Sequence, residues 1–123
     1  MTTRILYVDD EADIREIASM SLELDPEFEV RTCASGREAL SVAAAWNPAL
    51  ILLDVMMPEM DGPTTFGRLS EQAETAAIPV VFITARTQAK EVEAFKTLGA
   101  KGVIAKPFDP MGLAGKAREY LGR

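Results

Sequence analysis

Five short apolar runs, each followed by a longer amphipathic stretch, constrain this chain more than anything else in it. The runs are Ile5–Val8, Phe28–Cys33, Leu50–Leu53, Val80–Ile83 and Val103–Ala105. They are rich in Val, Ile and Leu and too short for helices, so they read as strands. Three are continuous rather than alternating, the pattern of strands covered on both faces. The run FEVRTC alternates and carries Arg31, so it reads as an edge strand.

Helix signals fill the gaps. Ile14, Ile17, Ala18 and Leu24 fall at helical spacing over 10–24. Ser35-Gly36-Arg37-Glu38 is a capping box ahead of an Ala-rich helix that ends near Trp46, and Asn47-Pro48 stops it. Asp61-Gly62-Pro63 starts another, with Pro63 in the first turn, where its missing N–H costs little. A helix over 88–98 is closed by Gly99. Asp109-Pro110 repeats the cap-then-proline start for a last helix running to about Leu121. Strand and helix thus alternate five times. Strands joined by helices are parallel with right-handed crossovers, and helices on both faces give a three-layer α/β/α sandwich, (βα)5. The 123 residues suit one such domain, 1–123, with enough core to dispense with disulfides.

Composition excludes several function classes. Nineteen acidic residues face thirteen scattered basic ones, a formal charge of −6, which speaks against direct nucleic-acid binding. The single cysteine, Cys33, permits no intramolecular disulfide, fits a reducing cytoplasm and sits in apolar sequence as a small buried hydrophobe. No signal peptide is evident, and no apolar run approaches the roughly 20 residues of a membrane span, so no membrane insertion is expected. With no histidine, a Ser-His-Asp triad, a Cys-His dyad, a histidine-ligated zinc and a phosphohistidine on this chain are excluded.

In parallel α/β sheets, ligands bind at the carboxyl ends of the strands. Here those ends read Val8-Asp9-Asp10-Glu11, Leu53-Asp54, Ile83-Thr84 and Ala105-Lys106-Pro107. A glycine-rich dinucleotide turn and a phosphate-gripping P-loop are both absent. An acidic turn repels phosphate unless a cation sits between them. Two carboxylates about 4 Å apart repel by about 4 kcal/mol at an effective dielectric near 20. A hard divalent ion such as Mg²⁺, held by Asp9, Asp10 and Asp54, removes that cost and leaves a face open for a phosphoryl oxygen. Lys106 and the Thr84 hydroxyl can take further phosphoryl oxygens, and Asp54 is then free to act as nucleophile. Each residue also has a structural reading: Asp10 as a helix cap, Thr84 as a strand-end cap, Lys106 as a surface lysine, Asp54 as a turn cap. Their coincidence at the ends of four strands favours the chemical one.

These motifs (VDDE at 8–11, LLDVMMPEMDG at 52–62, ITA at 83–85 and KPF at 106–108) resemble those of response-regulator receiver domains of two-component signalling, over essentially the full length. The resemblance implies a flavodoxin-like sheet in order 2-1-3-4-5. It implies that Asp54 accepts a phosphoryl group from the phosphohistidine of a sensor histidine kinase or a histidine phosphotransfer protein. Asp9, Asp10, Asp54 and the Met56 backbone carbonyl would hold Mg²⁺, or Mn²⁺ in its place. Thr84 and Lys106 would contact the phosphoryl group, and the bond before Pro107 would be cis. A chain of this kind is a signalling phosphoacceptor rather than an enzyme, and its output runs through protein contact at the face of the fourth helix, fifth strand and fifth helix. No residues remain for an attached domain, so the chain reads either as a stand-alone regulator or as a fragment of a longer one.

Two departures from the family pattern matter. Receivers often carry an aromatic three residues before the lysine, where this chain has Val103. The positions that tune phosphoryl lifetime hold Met56 and Arg86, which points to slow self-hydrolysis. Met57 and Met60 read as loop packing. The competing class is a haloacid-dehalogenase-type phosphatase or phosphotransferase. Its Asp-x-Asp-x-[Thr/Val] motif is not matched by Asp9-Asp10-Glu11-Ala12-Asp13, and there is no cap domain.

Overall fold

The computed structural model describes residues 2–122. Strands and helices alternate as β1 (Thr3–Val8), α1 (Ala12–Leu22), β2 (Phe28–Cys33), α2 (Gly36–Trp46), β3 (Leu50–Asp54), α3 (Gly62–Glu71), β4 (Val80–Thr84), α4 (Ala89–Leu98), β5 (Gly102–Ala105) and α5 (Leu113–Leu121). All pairings are parallel, in the order β2-β1-β3-β4-β5. β2 is an edge strand, as its alternation predicts. Arg31, which marks it in the sequence, lies 4.8 Å from the Trp46 ring centroid. No helix among the described residues is long and apolar enough to cross a membrane.

The continuous apolar runs serve two cores at once. Successive strand residues point to opposite faces. Leu6, Val8, Ile51, Leu53, Val80 and Phe82 pack with Ala39, Ala43, Trp46 and Leu69 on the α2–α3–α4 side. Ile5, Tyr7, Leu50, Leu52, Val81, Ile83 and Ile104 pack with Ala18, Leu22, Leu113 and Ala117 on the α1–α5 side. Cys33 is buried in the first core, and burial pushes its thiol up to about 12.

Local signals explain most element ends. The Ser35 hydroxyl accepts from Glu38 N at 3.1 Å, and Glu38 Oε1 reaches back to Ala34 N at 2.6 Å, one residue beyond the usual capping-box partner. Asn47 closes α2 in the left-handed region, and Gly99 does the same for α4. Asp61 caps α3 by accepting from Thr64 N at 2.8 Å. Gly62 is needed for close approach, because a Cβ there would lie 2.5 Å from the Asp54 carbonyl oxygen.

Two helices differ in extent from the sequence reading. α1 spans Ala12–Leu22 rather than 10–24. The N-cap falls on Glu11 with no side-chain capping bond, and past Leu22 the amides of Leu24 and Asp25 fold into tighter turns on Ser21 and Leu22. α5 begins at Leu113, not at Asp109-Pro110. Asp109 instead closes a turn of its own: its carboxylate accepts from Met111 N at 3.0 Å and its carbonyl from Gly112 N at 2.9 Å.

The start of β1 and the end of α5 are fastened to one segment. Thr3 N donates to the Glu27 carbonyl at 2.7 Å. The Arg118 guanidinium binds the carboxylates of Asp25 and Glu27 and lies 5.4 Å from the Phe28 ring centroid.

Candidate functional site

Strand periodicity decides which side chains meet at the rim. Tyr7, Leu52 and Ile104 all belong to the α1–α5 core. Two residues beyond each, on the same face, stand Asp9, Asp54 and Lys106. The register pairs Val8 with Leu53, so the two aspartates leave adjacent strands side by side. Carboxylate oxygens of Asp9, Asp10 and Asp54 lie within 4.8 Å of one another. Asp9 and Asp54 are buried, whereas Asp10 is exposed. Asp10 does not occupy the α1 N-cap, which falls on Glu11, so the helix-cap reading does not describe it.

Lys106 neutralises part of this charge. Its Nζ lies 3.1 Å from Asp9 Oδ2, 3.5 Å from Asp54 Oδ1 and 3.6 Å from Glu11 Oε1. Burial opposes the Lys106 ammonium, but the hydrogen bond to Asp9 and the charges of Asp54, Asp9 and Glu11 outweigh it and raise its pKa. Lys106 N donates to the Thr84 carbonyl at 2.9 Å, which ties the lysine's backbone to the end of β4. The Lys106–Pro107 peptide is cis.

Asp9 is held on every side. Its Oδ1 accepts from Glu11 N at 3.0 Å, and its Oδ2 accepts from the Tyr7 hydroxyl at 3.1 Å. Its carbonyl accepts from the Arg15 guanidinium at 2.8 Å. Burial, reinforced by the charge and hydrogen bond of Asp9, pushes the Tyr7 phenol well above its usual range, so it remains a donor. The support of Asp54 comes from Lys106. Burial first, then the charge of Asp9, lifts its carboxyl to about 6, although Lys106 pulls the other way. A cation placed among the three carboxylates would offset the charge of Asp9 that contributes to this rise.

The remaining predicted residues surround this centre. The Thr84 side chain is buried, and its hydroxyl oxygen accepts from Arg86 N at 3.0 Å, the strand-end cap foreseen as its structural reading. The Arg86 side chain is exposed. Met56 is 70% exposed, whereas Met57 is buried and Met60 half-buried, so of the three only Met56 is presented to solvent beside Asp54. Val103 is half-buried, and its carbonyl accepts from the Tyr120 hydroxyl at 3.3 Å. A cavity of about 350 Å³ lies beside it, lined by Val92, Val103, Phe108 and Tyr120 with Lys96 and Lys116 among the polar wall.

Sequence reasoning did not single out Tyr7, Glu11 or Arg15 for the site. Tyr7 was legible in principle, since it lies two residues before Asp9 on the same strand face. The reach of Glu11 and Arg15 depends on where α1 begins, which spacing alone does not fix.

The donor set is oxygen-rich, acidic and compact, and fits a hard divalent ion. The lysine beside it suits an anion brought to that ion. Known proteins share the arrangement's frame. Residues 5–118 match the family described as the response regulator receiver domain. The transcriptional regulatory protein SrrA of Staphylococcus aureus is 39% identical over 124 residues, covering 100% of this chain and 49% of SrrA. The chain thus spans about half the length of the curated relatives it matches. The chemotaxis response regulator CheY4 of Vibrio cholerae superposes with a TM-score of 0.89 at 32% identity, over 98% of this chain and 99% of that one. A response regulator of Chloroflexus aurantiacus, described as putative, superposes with a TM-score of 0.88 at 31% identity over 100% of both chains.

Proposed function

Because the chain belongs to the response-regulator receiver family, we propose that it is a phosphorylation switch in which Asp54 accepts a phosphoryl group from a partner's phosphohistidine. One observation carries this reading: three carboxylates within 4.8 Å of one another, with Lys106 Nζ 3.5 Å from the proposed acceptor. An Asp54 oxygen forms the new O–P bond as the P–N bond to the donor imidazole breaks, and the electron pair leaves with that nitrogen. Bound at Asp9, Asp10, Asp54 and the Met56 carbonyl, Mg²⁺ (or Mn²⁺) would neutralise charge on the phosphoryl oxygens. Lys106 moves from bridging Asp9 and Asp54 to pairing with the phosphoryl group. The Thr84 hydroxyl can donate to that group while its oxygen still accepts from Arg86 N.

The chain takes up one phosphoryl group and loses it by hydrolysis, without turning over an external substrate. Met56 and Arg86 flank the site and set how long it stays charged. Phosphorylation shifts an existing equilibrium and so changes affinity for a downstream protein at the α4–β5–α5 face. The donor is a sensor histidine kinase or a histidine phosphotransfer protein. The lone buried thiol and the acidic surface suit a cytoplasmic protein that contacts proteins rather than nucleic acid or lipid. Intact mass after exposure to Mg²⁺ and acetyl phosphate tests the reading. One phosphoryl adduct, absent in Asp54→Asn, is expected. No adduct from acetyl phosphate or from a cognate phosphohistidine donor would overturn it. Multiple turnover of phosphomonoesters would favour the haloacid-dehalogenase alternative instead.

A further inference from the structure

Tyr7 heads the largest fully buried side chains of the molecule. A phenol in the middle of a sheet core needs a partner for its hydroxyl, and here that partner is Asp9 Oδ2 at 3.1 Å. The ring is fixed as well. Its edge meets Phe108, with centroids 6.3 Å apart and planes at 71°. Phe108 follows Lys106-Pro107, so one ring touches both the strand that carries the acid and the loop that carries the lysine.

The donors around Asp9 define what it has left. A carboxylate offers about four lone-pair sites. Oδ2 receives Tyr7 and Lys106, and Oδ1 receives Glu11 N. The unfilled site is on Oδ1. The Glu11 amide fixes Oδ1 from the chain's own turn, and on Oδ2 the tyrosine hydroxyl is the uncharged donor, held by its packed ring, beside the charged Lys106.

We propose that Tyr7 is a positioning residue for the divalent cation: its hydroxyl anchors Asp9 Oδ2 so that Oδ1 is presented to the metal. The inference rests on the Mg²⁺-dependent reading above. Lysine cannot replace the phenol in this role, because Lys106 is itself needed elsewhere once a phosphoryl group arrives. Losing a hydrogen-bond partner of a metal-ligating carboxylate typically costs about 10–100-fold in metal affinity or activity.

The test is Mg²⁺ titration by calorimetry of the wild-type chain and Tyr7→Phe, which keeps the ring and its packing. The dissociation constant should rise about tenfold in the variant. The Mg²⁺ needed for half-maximal phosphorylation by acetyl phosphate should rise by the same factor, while the rate at saturating Mg²⁺ stays within about twofold. Equal or tighter Mg²⁺ binding by Tyr7→Phe overturns the role of Tyr7. So does a rate that saturating Mg²⁺ fails to restore, which would place the hydroxyl in the chemistry. A Tyr7→Phe chain that does not fold also overturns it, since the hydroxyl would then be structural. A wild-type chain that binds no Mg²⁺ refutes the metal-dependent reading itself.

Discussion

Asp54 and Met56 stand two residues apart and face opposite demands. The Asp54 carboxyl is buried and raised from 3.8 to about 6, so the folded metal-free chain binds a proton there more tightly than the unfolded chain does. Stability therefore falls as pH rises through that window, and the whole penalty is present above about 6. In the presence of a chelator, Asp54→Asn should be more stable than wild type at pH 7 by about 1–2 kcal/mol, discounted for solvent at the rim. The gain should shrink towards zero as pH falls to about 4. Urea unfolding of both chains across that range checks sign and window together. Met56 is largely exposed and offers only a weak thioether acceptor to an attacking water. Met56→Asn supplies an amide that can hold that water, and should shorten the phosphoryl lifetime about tenfold or more. Loss of the adduct with time, followed by mass, measures it. An unchanged lifetime would show that Met56 does not set it. The rim acids and Lys106 were legible because each ends an apolar run. The bond from Tyr7 to Asp9 needed the strand's two-residue period to be followed inward from the rim.

At the scale of elements, β5 and α5 meet through a glycine. A Cβ on Gly102 would fall 2.5 Å from the Tyr120 ring. The ring lies against the strand with its hydroxyl on the Val103 carbonyl. Gly102→Ala should displace Tyr120 and cost about 1–3 kcal/mol. In a Tyr120→Ala background the same substitution should cost nothing or stabilise, because alanine suits a strand better than glycine. A double-mutant cycle in urea measures the coupling, and additive effects would refute it. Val103 marks the missing aromatic in the sequence, but nothing in the spacing says that a ring from α5 covers the neighbouring position. That contact is tertiary. The same limit moved the start of α5: Asp109-Pro110 has the composition of a helix start, yet the Asp109 carboxylate holds Met111 N in a separate turn. By contrast, the cap at Asp61 and the left-handed end at Gly99 depend on a few adjacent residues, and both follow from sequence.

For the whole molecule, the five-fold alternation made the sandwich readable because each continuous run has to feed two cores. What holds the ends of the chain was not readable, since Arg118 and Asp25 are 93 residues apart. Arg118 holds the Asp25 carboxyl below its ordinary range, first through their hydrogen bond. A lowered carboxyl contributes stability above its unfolded value and loses it as pH falls through the folded one. Arg118→Ala should therefore lower the urea midpoint at pH 7, and the gap to wild type should narrow below about pH 4, the reverse of the Asp54→Asn profile. A gap constant with pH would assign the effect to packing on Phe28 alone. The anchoring segment sits where β2 begins, at the foot of the sheet, whereas the acids sit where β1 and β3 end. Polypeptide joined to either end of this fold thus departs from the side away from the reactive rim. The domain is a cartridge: it can be mounted on other chains from below while its working surface stays clear for whatever arrives from above.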